Sequence, residues 1–357
     1  MPPCAIAYAE LYVTDDRDAS GFLIDSLGFV PVAVAGPATG DHDHRSTVLR
    51  SGEVTLVVTR ALRRGTTVAR HVEEHGDSIA DLAFGCDDVQ SAFDRAVLAG
   101  ATALQGPTPS LRRGQDTWFA AVSGFGDVRH TLIAATPDRV GQLPPDRDWA
   151  LLPAATGPAA ARPVLDHVAV CLEAGTLRST AEFYEAAFDM TFYSSEYIEV
   201  GDQAMDSVVV RDADGGVTFT FMEPDDTRVP GQIDRFLRDH SGPGVQHLAF
   251  LVDDIVGSVR ALGDRGVSFL RTPGAYYDLL AERVAGMADA IADLRETNVL
   301  ADRDEWGYLL QIFTRPPHPR GTLFYEYIQR NGARGFGSAN IKALYEAVER
   351  EREVAGR

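Results

Sequence analysis

The sequence predicts an α+β protein built from four βαβββ modules that are arranged as two pseudo-repeated halves. One pattern of strands and helices occurs twice along the chain, and residues 77–104 closely match residues 243–270. A stretch rich in Pro, Ala and Gly separates the two copies. Because each module's sheet has one apolar face to bury, four modules are expected to pack as two curved sheets.

Each half begins with the same elements in the same order. Residues 5–32 and 165–193 both read as a strand, a short polar turn, an amphipathic helix and an aromatic residue that leads into the next strand. A pair of strands around a glycine-bearing turn follows at 45–62 and 207–224. We therefore expect matching modules in the two halves.

The second module of each half carries the clearest helix signals. An LAF strand is followed in both copies by two aspartates, a helical pattern and a glycine just past the helix end. The second half alone has a helical insertion at 272–300 and a charged helical tail after the glycine-rich GARGFGSAN. These boundaries predict a first domain at 1–137, a linker at 138–163 and a second domain at 164–357 that ends in a lid helix.

Bulk properties restrict the class of protein. The 357 residues include 52 acidic and 33 basic side chains, so the net charge is −19 and neither nucleic acid nor an anionic membrane is an expected partner. No apolar run is long enough to span a bilayer, and the first residues do not resemble a secretory signal. The three cysteines, without a CxxC pair, favour a reducing cytoplasm.

Three polar residues interrupt apolar, strand-like runs in the second half. His167, His247 and Glu326 lie in LDHVAV, VQHLAF and LFYEYI. A lone histidine in such a strand is more often a hydrogen-bonded core residue, but a glutamate on an apolar face requires a cation. Two imidazoles and one carboxylate on one face of a metal, with open positions opposite, suit non-haem Fe(II) and O2 chemistry.

The duplication provides an internal control for this triad. The positions of His167 and His247 match Tyr8 and Asp81 in the first half, and Glu326 falls opposite His130 or Thr131. A structural requirement of the repeat would tend to occur twice, so the asymmetry favours a function confined to the second half.

Alternatives to an iron site remain at this stage. Two histidines and a glutamate also bind catalytic zinc, although usually through a helical HExxH that this chain lacks. Asp166 and Gln246 directly precede the two histidines, and strand alternation predicts that both point to the opposite face, where Asp166 is solvated or structural and Gln246 is structural.

The pattern as a whole resembles the vicinal-oxygen-chelate superfamily, and within it the group of 4-hydroxyphenylpyruvate dioxygenases and 4-hydroxymandelate synthases. The resemblance covers nearly the whole chain and is most specific at GVQHLAF, TPGAYYDLL, LLQIFT and GFGSANIKALYEAVERE. It implies that the second half forms an open barrel around Fe(II), with 4-hydroxyphenylpyruvate and O2 as substrates. It also implies a cytoplasmic enzyme, and the acidic surface suits a homo-oligomer.

The same resemblance implies which side chains surround the substrate. The predicted substrate-binding residues are Ser207, Thr220, Met222, Gln311, Phe313, Phe336, Asn340 and Ile341. Simple core packing is the alternative for most of them. No catalytic side chain beyond the three metal ligands is predicted.

Departures from the dioxygenase pattern bear on the product. Thr220, Met222 and Ile341 replace the residues typical of the dioxygenases and resemble the hydroxymandelate synthases. We therefore expect benzylic hydroxylation to 4-hydroxymandelate, which serves the 4-hydroxyphenylglycine pathway of peptide antibiotics. Homogentisate formation in tyrosine breakdown is the alternative within the family, and a metal-free small-molecule binding protein is the alternative from another class.

Overall fold

A computed structural model gives the fold of most of the chain. It describes residues 5–110, 117–135, 142–153, 163–213, 215–283, 287–337, 339–340 and 342. The predicted site residue Ile341 and most of the predicted lid helix lie outside the described residues. Among the described residues, the elements form two mixed sheets with helices packed against them, as the sequence predicts.

The first half forms a nine-stranded sheet with strand order β6-β7-β8-β5-β1-β4-β3-β2-β9. The centre of the sheet is the antiparallel pair β5 and β1, and each of these strands has a parallel outer neighbour. The strands are β1 Ala5–Val13, β2 Val30–Ala35, β3 His44–Ser51, β4 Val54–Ala61, β5 Ser78–Cys86, β6 Ala103–Pro109, β7 Trp118–Ser123, β8 Arg129–Ala134 and β9 Ala150–Leu151.

The second half forms an eight-stranded sheet with strand order β11-β12-β13-β10-β14-β17-β16-β15, curled into a half-barrel. Its centre is again an antiparallel pair, β10 and β14, flanked by parallel β13 and β17. The strands are β10 Val164–Cys171, β11 Thr191–Val200, β12 Gln203–Arg211, β13 Thr218–Pro224, β14 Gly244–Leu251, β15 Leu300–Arg303, β16 Tyr308–Phe313 and β17 Phe324–Asn331. The repeat predicted from the sequence is confirmed.

Among the described helices, three in each half occupy corresponding places, and the last two lie in the insertion of the second half. They are α1 Asp16–Gly21, α2 Thr67–His75, α3 Val89–Leu98, α4 Leu177–Phe188, α5 Gln232–His240, α6 Ile255–Asp264, α7 Gly274–Arg283 and α8 Ile291–Thr297. Asp88 and Asp254 cap α3 and α6 through side-chain bonds to the backbone N–H three residues on, as the paired aspartates predict. None of the described helices combines the length and apolar composition needed to cross a membrane.

One apolar core joins the two halves. The ring of Phe84 from β5 packs against Phe188 and Phe219 at centroid distances of 5.0 and 6.2 Å, and Phe29 packs against Phe250 at 6.1 Å. Each sheet therefore buries one face in this shared core, and its opposite face is left to carry polar chemistry.

Part of the predicted linker is anchored to the first sheet. Ala150 and Leu151 pair with Val34 and Ala33 of β2 as a short edge strand. Arg147, three residues earlier, is buried and donates hydrogen bonds to the carboxylate of Glu10. Residues 142–153 thus pack as part of the first half, and the division into two domains stays a prediction.

Candidate metal centre

His167, His247 and Glu326 converge on the concave face of the second sheet. The Nε2 atoms of His167 and His247 lie 3.4 and 3.1 Å from the same carboxylate oxygen, Oε2 of Glu326. All three side chains are buried. Three donor atoms from strands about 80 residues apart therefore meet at one point, as expected if the three residues form a metal site.

Strand register explains this convergence. In the adjacent strands β10, β14 and β17, His167, Ala249 and Glu326 form one cross-strand row, and Ala169, His247 and Phe324 form the next. Cross-strand partners project from the same face of a sheet. Ala249, between the two outer ligands, carries only a methyl group, so His167 and Glu326 are the polar side chains of their row.

The carboxylate of Glu326 is held with one oxygen free for a ligand. Its Oε1 atom accepts a hydrogen bond of 2.8 Å from Nε2 of Gln311, and Oε2 faces the two imidazoles. Burial raises the pKa of Glu326, but the charge of and hydrogen bonds from the two histidines outweigh burial and bring the pKa to about 2. A buried anion of this kind requires a cation, and a divalent metal bound by two nitrogens and one oxygen meets that requirement.

The two histidines respond differently to this carboxylate. Burial lowers the pKa of His167, but the charge of Glu326 and the hydrogen bond to Asp166 raise it overall to about 9. Burial dominates at His247, whose pKa is lowered. The charge of Glu326 therefore acts more strongly on the His167 imidazole than on that of His247.

Two β-bulges overturn the alternation argument for Asp166 and Gln246. The β10–β14 register shifts between Leu165 and His167 and again opposite Gln246, so each of these two residues is the extra residue of a bulge. Their side chains turn toward the ligands instead of away. Oδ1 of Asp166 lies 2.8 Å from Nδ1 of His167, and Oε1 of Gln246 lies 3.2 Å from Nδ1 of His247.

These contacts define the tautomer of each ligand. An Nδ1 that donates to a carboxylate or amide oxygen leaves the Nε2 lone pair directed at the metal position. The prediction that Asp166 and Gln246 point to the opposite face is therefore wrong: both side chains hydrogen-bond the candidate ligands. A bulge depends on pairing with another strand, so the local sequence carries no signal for it.

Residues of strands β12 and β13 line the same concave face. Thr220 pairs with Ala169, and Met222 lies between Cys171 and Ser207 in the next row. The hydroxyl of Ser207 donates to the backbone oxygen of Glu196, whereas the buried hydroxyl of Thr220 has no hydrogen-bond partner among the residues that the structure describes. The Thr220 hydroxyl is therefore available to a bound molecule.

The remaining predicted contacts lie on the opposite side of the triad. Phe313 is the cross-strand partner of Glu326 on β16, and its ring lies 6.1 Å from His247. Gln311, on the same strand, receives a hydrogen bond of 3.0 Å from Asn340. The ring of Phe336 meets His167 edge-on at 5.2 Å. Apart from Ile341, every predicted site residue thus lies within this region.

Two residues of this region were missed by the sequence reasoning. Phe324 stacks on His247 with a centroid distance of 4.9 Å, and the hydroxyl of Tyr276 donates to Asn340. Phe324 stands two residues before Glu326, so strand alternation places both side chains on one face, and this spacing could have identified Phe324 as a site residue. Tyr276 lies in the insertion, and only the tertiary structure brings it to the site.

The first half holds the counterparts of the triad. The register of β1, β5 and β8 places Tyr8, Asp81 and Thr131 where the second half has His167, His247 and Glu326. The sequence left His130 or Thr131 open as the third counterpart, and the register selects Thr131. Oδ2 of Asp81 accepts hydrogen bonds from Thr131 Oγ1 at 2.5 Å and Tyr8 Oη at 3.5 Å.

A second group among the described residues brings metal-binding side chains together. Glu74, His75 and Asp127 place one ligand atom each within 4.8 Å of one another. Glu74 and Asp127 are exposed, and the guanidinium of Arg320 bonds the backbone oxygen of Glu74. Only the His167, His247 and Glu326 group is buried throughout, so it is the stronger candidate of the two.

Comparisons with known proteins agree with this geometry. Residues 164–312 match the model of the Glyoxalase/Bleomycin resistance protein/Dioxygenase superfamily. The chain is 33% identical to 4-hydroxyphenylpyruvate dioxygenase from Yarrowia lipolytica, and the match covers 97% of this chain and 91% of that protein. It is 32% identical to the enzyme of the same name from Pyricularia oryzae, with coverages of 97% and 89%.

Solved structures give a still closer match. A triple mutant of 4-hydroxymandelate synthase from Streptomyces coelicolor is 81% identical, with a TM-score of 0.93 and coverage of 99% of this chain and 100% of that chain. A fusion of a xylose isomerase-like TIM barrel with 4-hydroxyphenylpyruvate dioxygenase is 26% identical, with a TM-score of 0.75, and the match covers 99% of this chain and 54% of the fusion. The chain is therefore a dioxygenase that belongs to the family of 4-hydroxyphenylpyruvate dioxygenases and 4-hydroxymandelate synthases.

Proposed function

We propose that this protein converts 4-hydroxyphenylpyruvate and O2 to 4-hydroxymandelate and CO2, with Fe(II) bound by His167, His247 and Glu326. The observation that carries the proposal is the buried triad in a chain that is 81% identical to a 4-hydroxymandelate synthase structure. The donor set favours iron over zinc, because it lacks thiolates and leaves one side of the metal position to substrate and O2.

The bound iron would supply O2 activation and the chelation of the substrate's 2-oxo acid. The protein's own residues set the positions. Asp166 and Gln246 orient the two imidazoles, and Gln311 holds Oε1 of Glu326 so that Oε2 faces the metal position. Such outer contacts keep the ligands in place during the reaction, because a reoriented ligand loses its metal bond.

The walls of the site suit an aromatic substrate with one polar end. Phe313, Phe324 and Phe336 provide aromatic surface around the triad, and Met222 provides an apolar surface on the opposite strand. We propose that the free hydroxyl of Thr220 bonds a polar group of the substrate. An unpartnered buried hydroxyl costs about 1–3 kcal/mol, which a bound substrate would recover.

Met222 is the side chain that we propose to favour benzylic hydroxylation. It packs with Ala169, Cys171 and Ile198 in an apolar cluster on the concave face. A polar residue at this position would hold the phenolic ring by a hydrogen bond, whereas Met222 gives only an apolar contact. A shape-defined wall of this kind selects the product by the position in which it holds the ring.

Product identification decides between this activity and the alternatives. Incubation with Fe(II), ascorbate and 4-hydroxyphenylpyruvate is expected to yield 4-hydroxymandelate and one CO2 per O2 consumed. Homogentisate as the main product would favour the dioxygenase activity that the names of the fungal relatives describe. Tight binding of the substrate without metal or turnover would favour a binding protein.

We also propose a cytoplasmic homo-oligomer that serves the 4-hydroxyphenylglycine pathway. Cys171 is a free and buried thiol, which suits a reducing compartment. Light scattering of the purified protein measures the oligomeric state directly, and a monomer at micromolar concentration would contradict that part of the proposal.

A further inference from the structure

Arg330 connects the candidate metal centre to the chain segment that follows the last strand. Its Nε and Nη2 atoms donate to the two carboxylate oxygens of Asp166, each at 2.8 Å. Its Nη1 atom donates to the backbone oxygen of Gly335 at 2.6 Å. The guanidinium also lies 5.0 Å from the ring centroid of Phe336. One side chain therefore holds both Asp166 and the Gly335–Phe336 backbone.

Asp166 links Arg330 to His167, one of the candidate metal ligands. Its Oδ1 atom accepts from both Arg330 Nη2 and His167 Nδ1, so the carboxylate is fixed between a guanidinium and an imidazole. The ring of Phe336 in turn packs edge-on against His167 at 5.2 Å. The orientation of His167 and the position of Phe336 are thus defined by the same contacts.

A second route joins Glu326 to the same segment. Nε2 of Gln311 donates both to Oε1 of Glu326 at 2.8 Å and to the backbone oxygen of Phe336 at 3.2 Å. Gly337 packs so tightly on Gln311 that a Cβ atom there would lie 2.1 Å from its Oε1. We call residues 335–337 together with Asn340 the closing segment. Glu326 therefore reaches the closing segment through one side chain, Gln311, and His167 reaches it through two, Asp166 and Arg330.

The first half shows that these connections are not part of the shared fold. When the two halves are matched so that Thr131 corresponds to Glu326, Ala135 corresponds to Arg330. The bulge residue that corresponds to Asp166 is Ala7. The half without the triad therefore lacks both partners. Chemistry also favours arginine, since only a guanidinium has enough N–H groups in one plane to bond both carboxylate oxygens and a third acceptor.

We propose that Arg330 is a positioning residue that couples metal binding at His167 to docking of the closing segment. A metal on Nε2 of His167 requires Nδ1 to donate to Asp166, and this hydrogen bond holds the Asp166 carboxylate in position. Arg330 donates to the same carboxylate and to the backbone oxygen of Gly335. Coupling between two sites is reciprocal, so metal binding tightens the closing segment and a docked segment raises metal affinity. The inference rests on the proposed metal site.

The test measures metal affinity and segment protection in the same variants. Co(II) is the probe, with affinity read from its visible absorption, and hydrogen exchange at the Gly335 and Phe336 amides reports docking with and without Co(II). Arg330→Met removes the connection, and Arg330→Lys keeps the charge for a milder change. Arg334→Met is the matched control, because Arg334 lies on the same stretch but packs over Trp306.

Co(II) is expected to slow exchange at both amides in the wild-type protein and in Arg334→Met. In Arg330→Met we expect about a 10- to 100-fold loss of Co(II) affinity, the range seen when a partner of a metal-bound histidine is removed. Metal-dependent protection is expected to disappear in Arg330→Met and to be reduced in Arg330→Lys. Asp166→Asn should give the same losses, and combining it with Arg330→Met should add little, since the two residues act through one connection.

The outcomes separate this inference from the proposed metal site. Wild-type affinity together with retained protection in both Arg330 variants would overturn the coupling, as would a loss of thermal stability with unchanged affinity. A wild-type protein that binds no Co(II) would overturn the metal site and the coupling with it.

Discussion

The two halves of this protein use the same backbone for opposite purposes. Both have a central antiparallel strand pair with two bulges, and in both three side chains meet on the face opposite the shared core. In the second half these are two imidazoles and a carboxylate, whereas Tyr8, Asp81 and Thr131 occupy the first. The comparison shows that the fold supplies the convergence, and the residue types decide whether it needs an external cation.

The first half supplies its own cation. Nε of Arg129 lies 2.9 Å from Oδ2 of Asp81, and Arg147 from the linker bonds Glu10 two residues beyond Tyr8. The carboxylates of Asp81 and Glu10 are therefore both neutralised within the protein. The buried Glu326 has no arginine or lysine partner among the ion pairs of the described residues, only histidines. The second half, whose buried carboxylate lacks such a partner, is therefore the one that suits a metal.

The bulge residues sharpen the contrast. The second half has Asp166 and Gln246 in its two bulges, and the first half has Ala7 and Ala80. A methyl group cannot orient a neighbouring imidazole. The second half therefore carries not only the ligands but also the partners that ligands require.

The largest effect that we expect comes from removing one triad residue. Glu326→Ala should abolish metal binding and turnover in a folded protein, because two imidazoles alone leave the charge of the metal uncompensated. The counterpart change, Thr131→Ala, should leave metal content and turnover at wild-type levels. Metal analysis and O2 uptake measure both, and full activity of Glu326→Ala would contradict the triad.

A smaller but still large effect is expected on the stability of the first half. Asp81→Ala leaves Arg129 without its closest carboxylate and the Thr131 backbone N–H without its acceptor. We expect a loss of about 3 kcal/mol in the free energy of unfolding, measured by urea titration. Metal affinity should not change, and a parallel loss of metal would show that the halves are not independent.

The bulge partners of the ligands should have graded effects on metal affinity. Asp166→Ala is expected to weaken binding by about 10- to 100-fold, and Gln246→Ala by less. The reason is that the Asp166 contact is charged and 2.8 Å long, whereas the Gln246 contact is a neutral one of 3.2 Å. Competition with a chromophoric chelator measures both, and the reverse order would contradict this ranking.

The smallest effect is a pH dependence from His130 of the first half. Burial lowers its pKa from 6.5 to about 4, so the folded protein keeps it neutral between Leu82 and Tyr184 while the unfolded chain takes up a proton below about pH 6.5. Stability is therefore lost as the pH falls, by about 1.4 kcal/mol at pH 5.5.

Unfolding midpoints at pH 7 and 5.5 measure this effect. His130→Gln should reduce the difference between the two values, although buried His71 and His240, whose pKa values are also lowered, retain a similar dependence. An unchanged difference in the variant would remove His130 as a cause.

Local sequence patterns determined the elements and the identity of the triad. Asp88 and Asp254 identify helix starts because a cap acts within one turn. His167, His247 and Glu326 were detectable because a polar residue in an apolar strand must be satisfied by something. The internal repeat then assigned them to one half without any tertiary information.

Only the tertiary structure decided what surrounds the triad. The bulges at Asp166 and Gln246 and the choice of Thr131 over His130 follow from strand register, which depends on the partner strand rather than on neighbouring residues. Arg330 hydrogen-bonds the carboxylate of Asp166, which lies 164 residues earlier in the sequence. Short-range sequence encodes what each strand contains, but contacts between distant strands form only when the whole sheet pairs.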